Sequence, residues 1–296
     1  FFKQKTAYEI STRDWSSDVC SSDLRDRLAN VLADLLARSG RAWRPLQDTT
    51  LEPAIGPGHV HDWDDWQRGE DYYVESQLMW LQADLAIRQA SGEKRSLNDF
   101  ARAFFGVHDR PRADGSPAPV TYTFEDVVAT LQAVQPMDWR RFLRRHLDTP
   151  WDLHEALAGS GWRLVWRDSE SSFQQHERGS AGAQGTERPQ ELAWSLGLRV
   201  LADGTLYQVL WGSPAFDAGL TNGMQVVAVN DHAFKAERLS AAVKANTDGR
   251  HPLRLLVRDG DLFKTVTLDW RGGLRYPALE RVADEPDRLG ALYGAL

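Results

Sequence analysis

Two histidines and three aspartates lie within seven residues of one polar stretch, and imidazole and carboxylate groups are common ligands of divalent metals. They are His59, His61, Asp62, Asp64 and Asp65. No helical or strand periodicity runs through the stretch, so no fixed face aims these side chains at one point. We therefore expect a polar, tryptophan-bearing loop over residues 41–70 rather than a specific metal site.

A second chemically distinctive group is basic and consists of Arg140, Arg141, Arg144, Arg145 and His146. Apolar residues are interspersed with it at helical spacing, which favours a helix with one solvated cationic face. The whole chain carries 35 Lys and Arg against 42 Asp and Glu, a net charge of −7. One basic patch on an acidic chain argues against nucleic acid as a partner.

The composition excludes two further classes of protein. No stretch approaches the roughly 18 uninterrupted apolar residues of a membrane helix, so we expect no membrane span. The single cysteine, Cys20, excludes an intrachain disulfide framework and a multi-cysteine zinc cluster. Hydrophobic residues at 42% and charged residues at 26% are typical of a globular protein.

Residues 1–24, FFKQKTAYEISTRDWSSDVCSSDL, have neither the pattern of a signal peptide nor the period of a helix or strand. The string resembles translated read-through of a sequencing adapter. The resemblance implies a non-native, disordered segment and a natural reading frame that begins near Arg25. We therefore leave these residues, Cys20 included, out of the fold prediction.

Residues 25–161 are predicted to form a helical block, which contains both the His and Asp group and the basic group described above. An apolar stripe begins the block, formed by Leu28, Val31, Leu32, Leu35 and Leu36. A long helix is predicted over 72–91, ending at Gly92, and another over 138–147. Three helix starts have capping-box spacing, namely Ser96 with Asp99, Thr123 with Asp126, and Asp152 with Glu155.

The apolar period changes from Trp162 onward. Residues 168–190 are polar and rich in Gly, Ser and Gln, which predicts a mobile loop. Short strands separated by turn signals then predict a small β-barrel or sandwich. The predicted strands cover residues 196–201, 206–210, 224–229, 253–257 and 263–268, and one helix is predicted over 238–246.

Three motifs in this β-rich part occur in order: SLGL at 195–198, GSPAFDAGL at 212–220 and NGMQVVAVN at 222–230. Over residues 194–272 the chain resembles a bacterial PDZ domain, with Met224 where the family usually has Asp. The resemblance implies that an extended peptide binds beside the first strand and that its carboxylate meets the backbone N–H groups of Leu196, Gly197 and Leu198. A second interpretation stays open, in which the region is a packing module whose groove is filled by its own chain.

Five further motifs, also in order, are WRPLQDTT at 43–50, WDDW at 63–66, DYYVESQLMWL at 71–81, SLNDFARAFFG at 96–106 and GGLRYP at 272–277. Together they are similar to the C-terminal part of the glycyl-aminopeptidase family of zinc metallopeptidases. In that family a thermolysin-like catalytic domain of the gluzincin type precedes a PDZ domain. The resemblance implies hydrolysis of peptides or proteins that begin with small residues such as Gly or Ala.

The resemblance also implies a zinc ion bound by an H-E-x-x-H helix and a downstream Glu. This chain has no such motif, because neither His154-Glu155 nor His176-Glu177 is followed by a second His at the required spacing. We expect the zinc-binding half to be missing, which leaves this chain without zinc ligands and inactive alone.

One catalytic group of the family carries over to this chain. A tyrosine that precedes a conserved helix donates its hydroxyl to the oxyanion of the tetrahedral intermediate. The matching residue is Tyr73, with Tyr72 as the alternative, although Glu75 and Ser76 replace the Lys and Gly that usually follow. A purely structural role, with Tyr73 anchoring the helix start, stays open.

The sequence thus predicts an α + β multidomain protein. The predicted parts are residues 1–24 non-native, 25–161 the C-terminal part of the catalytic domain, 162–193 a linker and mobile loop, 194–272 the PDZ domain and 273–296 a tail. We expect a fragment of a periplasmic or secreted metallo-aminopeptidase with a possible PDZ peptide ligand. The alternative function is that of a non-catalytic, peptide-binding PDZ protein.

Overall fold

A computed structural model describes residues 21–56, 63–105, 114–116, 120–181 and 189–293. It has mixed α + β architecture, as predicted. Among these residues, eight helices lie in the first half of the chain, and small antiparallel sheets dominate the second half. None of the helices in the described part combines the length and apolar character needed to cross a bilayer.

The first half is built from helices of very different lengths. Three of them lie within 41–70, where the sequence analysis predicts a loop, and a 3-10 turn (Ser39–Ala42) precedes them. The helices are α1 (Ser21–Leu36), α2 (Leu46–Thr49), α3 (Glu52–Ile55), α4 (Asp64–Gln67), α5 (Tyr72–Ser91), α6 (Leu97–Phe104), α7 (Phe124–Val134) and α8 (Trp139–Asp148).

Side-chain caps mark the start of three of these helices, α6, α7 and α8. Ser96 and Asp99 form a reciprocal capping box at α6, and Thr123 and Asp126 form another at α7, as predicted. Gly92 ends α5 in the left-handed conformation with φ of +61°. The third predicted box is wrong: Asp152 caps only a 3-10 turn, Leu153–Leu157, and the Glu155 carboxylate instead accepts a hydrogen bond from Arg145.

The end of the chain returns to this helical part. Strand β1 (Trp162–Arg167) pairs antiparallel with the late strand β9 (Tyr276–Arg281), with Trp162 opposite Arg281. Helix α1 contacts β9, and a last helix, α12 (Arg288–Tyr293), contacts α1. Residues predicted as linker and as tail therefore form one two-stranded sheet packed against α1.

The predicted loop over 168–190 contains a further helix, α9 (Ser172–Ala181). The Gln174 side chain accepts a hydrogen bond from the N–H of Ser171 at 2.9 Å, and the Ser171 hydroxyl accepts one from the N–H of Gln174. This reciprocal pair is a capping box that overrides the low-complexity composition. Gln174 also donates to Asn30 and to the carbonyl of Pro277, which ties α9 to α1 and β9.

Between β1 and β9 lies a second folded part, residues 189–274, called here the β unit. One sheet has the order β2-β3-β4 and the other β6-β5-β7-β8. Its elements are β2 (Gln190–Leu192), β3 (Leu198–Val200), β4 (Leu206–Val209), α10 (Pro214–Asp217), β5 (Gln225–Val229), β6 (His232–Ala233), α11 (Ala236–Ala245), β7 (Leu253–Asp259) and β8 (Leu262–Leu268).

The two sheets of the β unit share one hydrophobic core with α10 and α11. Backbone hydrogen bonds between Leu206 and Met224 and between Gly204 and Val226 join the sheets along one side. All five predicted strands and the predicted helix are present, with ends shifted by a few residues. Strands β2 and β6 are additional and short.

The returning C-terminal segment should contribute to global stability. Leu289 on α12 is fully buried, so Leu289→Ala is expected to lower the free energy of unfolding by about 2–5 kcal/mol. Leu262→Ala is the matched control, because Leu262 is 69% exposed and its loss should change stability by less than about 0.5 kcal/mol. Urea denaturation of both variants tests this, and equal small losses would show that α12 is not part of the folded unit.

Candidate functional site

The two candidate tyrosines lie in the first turn of α5. Tyr73 is 55% exposed, whereas Tyr72 is half-buried, and their ring centroids are 4.4 Å apart. Burial, a hydrogen bond with the Tyr73 side chain and the nearby Glu70 carboxylate raise the pKa of Tyr72. The raised pKa keeps the Tyr72 hydroxyl protonated at neutral pH. Of the two tyrosines, Tyr73 is the one more exposed to solvent.

Beneath this turn lies a cluster of buried and half-buried charged side chains that we call the ionic cluster: Arg38, Arg41, Arg68, Asp71 and Glu75. Arg68, Asp71 and Glu75 are each only 1% exposed. The Arg68 guanidinium donates through Nε to Asp71 Oδ2 at 2.9 Å and through Nη2 to Glu75. Both acceptors belong to the start of α5, so Arg68 fixes the turn that carries the tyrosines.

Two arginines from the preceding segment complete the ionic cluster. Arg41 binds both carboxylate oxygens of Glu75, at 3.0 and 3.1 Å, and also donates to the carbonyl of Trp151 at 2.9 Å. Arg38 pairs with Asp71. These contacts join segments that are 33, 34 and 110 residues apart along the chain.

Burial is the main influence on Arg68 and lowers its pKa to about 10, while the Glu75 carboxylate acts in the opposite direction. At neutral pH the group is therefore still charged and is neutralised by its two acidic partners. Arg68 also has φ of +55°, a left-handed conformation that costs energy for a residue with a side chain. Hydrogen bonds from its guanidinium to Asp71, to Glu75 and to the carbonyl of Arg44 stabilise this conformation.

A cluster of aromatic rings extends from the helical part to the β unit. The rings of Trp43 and Trp66 are 5.2 Å apart, and Trp66 lies 5.2 Å from Trp211 of the β unit. Beside them the buried Asp65 carboxylate accepts a hydrogen bond from the N–H of Trp211 at 2.7 Å. Burial raises the pKa of Asp65, and this hydrogen bond partly offsets the shift.

Of the possible metal ligands at positions 59–65, only Asp64 and Asp65 lie within the described residues. Among the described residues, no three His, Cys, Asp or Glu side chains come together in a way that could hold a metal ion. His59, His61 and Asp62 lie outside the described residues, and Asp65 is engaged with Trp211. His154 lies in a 3-10 turn and His176 on α9, so the two histidine–glutamate pairs belong to separate elements.

The predicted carboxylate loop is buried, and the N–H groups of Leu196 and Gly197 already have an acceptor within the chain. Leu196 and Leu198 are fully buried, and Gly197 is buried with φ of +78°. The N–H groups of Leu196 and Gly197 both donate to the carbonyl of Leu192, at 2.8 and 3.1 Å. Leu198 lies in β3, opposite Leu192 of β2.

Strand β2 covers the predicted carboxylate loop. It lies along the edge of β3, where the PDZ resemblance would place a bound peptide. Gln190 is opposite Val200, and its side-chain amide donates to the carbonyl of Ala236 at 2.9 Å and to the Ser240 hydroxyl, both on α11. The groove between β3 and α11 is thus filled by the protein's own chain. This is the arrangement that the second interpretation describes, and peptide binding by the groove stays a prediction.

Sequence reasoning missed Arg68, Asp71 and the strand β2. It named Asp65 and Glu75 but did not predict the contact of Asp65 with Trp211 or the ion pairs of Glu75. One signal for the ionic cluster was available, since arginines recur at positions 38, 41 and 44 while acids follow at 71 and 75 with helical spacing. No sequence signal could have identified β2, because it has only three residues, Gln190–Leu192, and so short a strand shows no alternation of polar and apolar residues.

Searches against models of protein families and against curated proteins find no match. Among solved structures, the chain is similar to an aminopeptidase N family protein from Idiomarina loihiensis, with a TM-score of 0.50 and 18% identity. The likeness covers 90% of this chain and 44% of that protein. It shows a shared fold, and the chain spans less than half of that protein's length.

The ionic cluster should dominate the stability of the helical part. Glu75→Gln removes the charge shared by Arg41 and Arg68 and leaves a buried excess of positive charge, so we expect a loss of about 3–5 kcal/mol. Glu155→Gln makes the same chemical change in an exposed pair with Arg145 and should cost less than about 1 kcal/mol. Urea denaturation compares the two, and similar losses would contradict the importance of the cluster.

Gly197 should tolerate no side chain. A Cβ there would lie 2.0 Å from the Ser213 Cβ in a left-handed backbone, so Gly197→Ala is expected to cost about 2–4 kcal/mol. Gly212→Ala is the control, because Gly212 is also left-handed, with φ of +71°, but a Cβ added there would meet nothing within 4 Å. Its cost should be about 1–2 kcal/mol. Thermal unfolding measures both, and a Gly197→Ala protein as stable as Gly212→Ala would argue against the close contact.

Proposed function

We propose that the chain is the C-terminal part of a zinc-dependent metallo-aminopeptidase that removes small N-terminal residues such as Gly or Ala. The observation that carries the proposal is the fold shared with an aminopeptidase N family protein over 90% of this chain. The ordered motifs that resemble the glycyl-aminopeptidase family support it independently. In this proposal the protein is periplasmic or secreted, which the lack of cysteine after Cys20 accommodates.

Tyr73 is the residue of this chain that we assign to the reaction. Its hydroxyl would donate a hydrogen bond to the oxyanion that forms when water attacks the scissile carbonyl. Its exposure and its place in the first turn of α5 support this role, because the ionic cluster holds that turn against movement. Tyr72 contacts the Tyr73 ring and would position it.

Zinc would supply the Lewis acid and the activated water in the complete enzyme. The described residues of this chain do not fit that ion, because no three potential ligands converge. The proposal therefore places the zinc ligands in another part of the complete protein. This chain alone should neither retain zinc nor hydrolyse peptides.

A second candidate function is peptide binding by the β unit, with a PDZ-type groove between β3 and α11. The observation that favours it is the convergence of three N–H groups, those of Ser195, Leu196 and Gly197, on one oxygen atom, the Leu192 carbonyl. Consecutive N–H groups that point at one site form an anion-binding concavity. The groove would then take a peptide or protein ligand whether or not the complete protein is an enzyme.

Substitution of Tyr73 tests the enzymatic proposal in the complete protein, expressed from the extended gene. We expect Tyr73→Phe to lower kcat for alanine p-nitroanilide by about 10²–10³-fold, since one oxyanion donor is lost, with KM and zinc content little changed. Tyr72→Phe is the matched control and should stay within about threefold of the wild type, because it only positions Tyr73.

Two results would contradict these assignments. A large loss in Tyr72→Phe with none in Tyr73→Phe would move the role to Tyr72. An extended gene that encodes no zinc-binding helix, or a protein without zinc and without aminopeptidase activity, would leave peptide binding as the function.

A further inference from the structure

Strand β2 runs through the groove as a bound peptide would. It is antiparallel to β3, with Leu192 opposite Leu198 at the start of β3 and Gln190 opposite Val200 further along. Its other side faces α11, where Gln190 reaches Ala236 and Ser240. This is strand addition to a sheet edge, the mode by which extended peptides are recognised.

The end of β2 lies in the predicted carboxylate loop. The Leu192 carbonyl accepts hydrogen bonds from the N–H groups of Ser195, Leu196 and Gly197, at 3.1, 2.8 and 3.1 Å. A neutral carbonyl has two lone pairs for three donors, whereas a carboxylate has two oxygens and a full negative charge. The loop is therefore better matched to a chain terminus than to the internal carbonyl it now holds.

The Leu192 side chain occupies the apolar end of the groove. It is 1% exposed and belongs to the core of the β unit. A leucine at the C-terminus of another peptide would present the same side chain there together with a free carboxylate.

Other contacts of β2 are imperfect. The Gln190 side-chain oxygen is buried, and no hydrogen-bond partner for it is present among the described residues. Burial also raises the pKa of Glu191, because the Arg199 guanidinium only partly compensates for the lost water. An unsatisfied buried acceptor weakens the attachment of the strand.

We propose that residues 190–192 are a tethered ligand that closes the groove of the β unit, and that an extended peptide with a C-terminal leucine carboxylate binds by displacing them. The side chain two residues before that leucine would be an amide or a hydroxyl, which can bond to Ser240 as Gln190 does. The inference rests on the proposed peptide-binding function and adds its ligand chemistry and its control.

A reversible lock tests this in the full chain. Glu191 and Arg199 are opposite each other in the antiparallel pair of β2 and β3, where opposite Cα atoms lie about 4.5–5.5 Å apart, so a Glu191→Cys, Arg199→Cys pair lies within reach of a disulfide. The background carries Cys20→Ser, which removes the only native thiol. The probe is fluorescein-labelled Pro-Gln-Glu-Leu with a free carboxylate, and the same peptide with a C-terminal amide is its control. Binding is measured by fluorescence anisotropy.

We expect the reduced form to bind the carboxylate peptide at least tenfold more tightly than the oxidised form, in which β2 cannot leave. In the otherwise native chain, Gln190→Ala should tighten binding about five- to tenfold, since it loses two hydrogen bonds that hold β2. The amide peptide should bind at least tenfold more weakly to each form that binds the carboxylate.

The outcomes separate two failures. Equal binding by the oxidised and reduced forms would overturn the tethered-ligand proposal while leaving peptide binding intact. Absence of binding by the reduced, oxidised and Gln190→Ala proteins would overturn the peptide-binding function itself and, with it, any ligand role for β2.

Discussion

The buried pairing of Arg68 with Asp71 and Glu75 is the interaction on which the helical part depends. Three charged side chains with 1% exposure are stable only as a neutralised, hydrogen-bonded group, so removing one partner leaves a charge without solvent. The group joins the turn after α4 to the start of α5, and Arg41 extends it to Trp151. It therefore fixes the turn that presents Tyr73 to solvent.

The segment that carries Arg68 also contacts the β unit. Asp65 lies on α4, three residues before Arg68, and accepts the N–H of Trp211 beside the aromatic rings that bridge the two parts. At the other end, β9 returns to pair with β1 and to contact α1. The β unit also contacts α1, where Asp34 accepts a hydrogen bond from the Trp194 indole N–H and pairs with Arg199. Its own groove holds β2 as an internal contact.

Local signals predicted much of the fold. The bounds of α5, the capping boxes at Ser96 and Thr123 and the strands of the β unit depend on contacts a few residues apart, which periodicity and capping rules describe. The pairing of β1 with β9, the ionic cluster and the position of β2 depend on partners far along the chain, such as Arg41 and Trp151, 110 residues apart. For the site, the roles of Tyr73 and the Gly197 loop stay predictions, and sequence reasoning missed Arg68 and the strand that fills the groove.

In the proposed function this chain is one part of a larger enzyme. It would supply an anchored tyrosine, and another part of the protein would supply the metal. The most direct measurement is a long DNA read across the codons around Arg25 in the source sample. The account predicts that residues 1–24 are absent there and that the extended frame encodes H-E-x-x-H followed by a ligand Glu. Genuine coding of those 24 residues, with no zinc-binding helix before them, would contradict it.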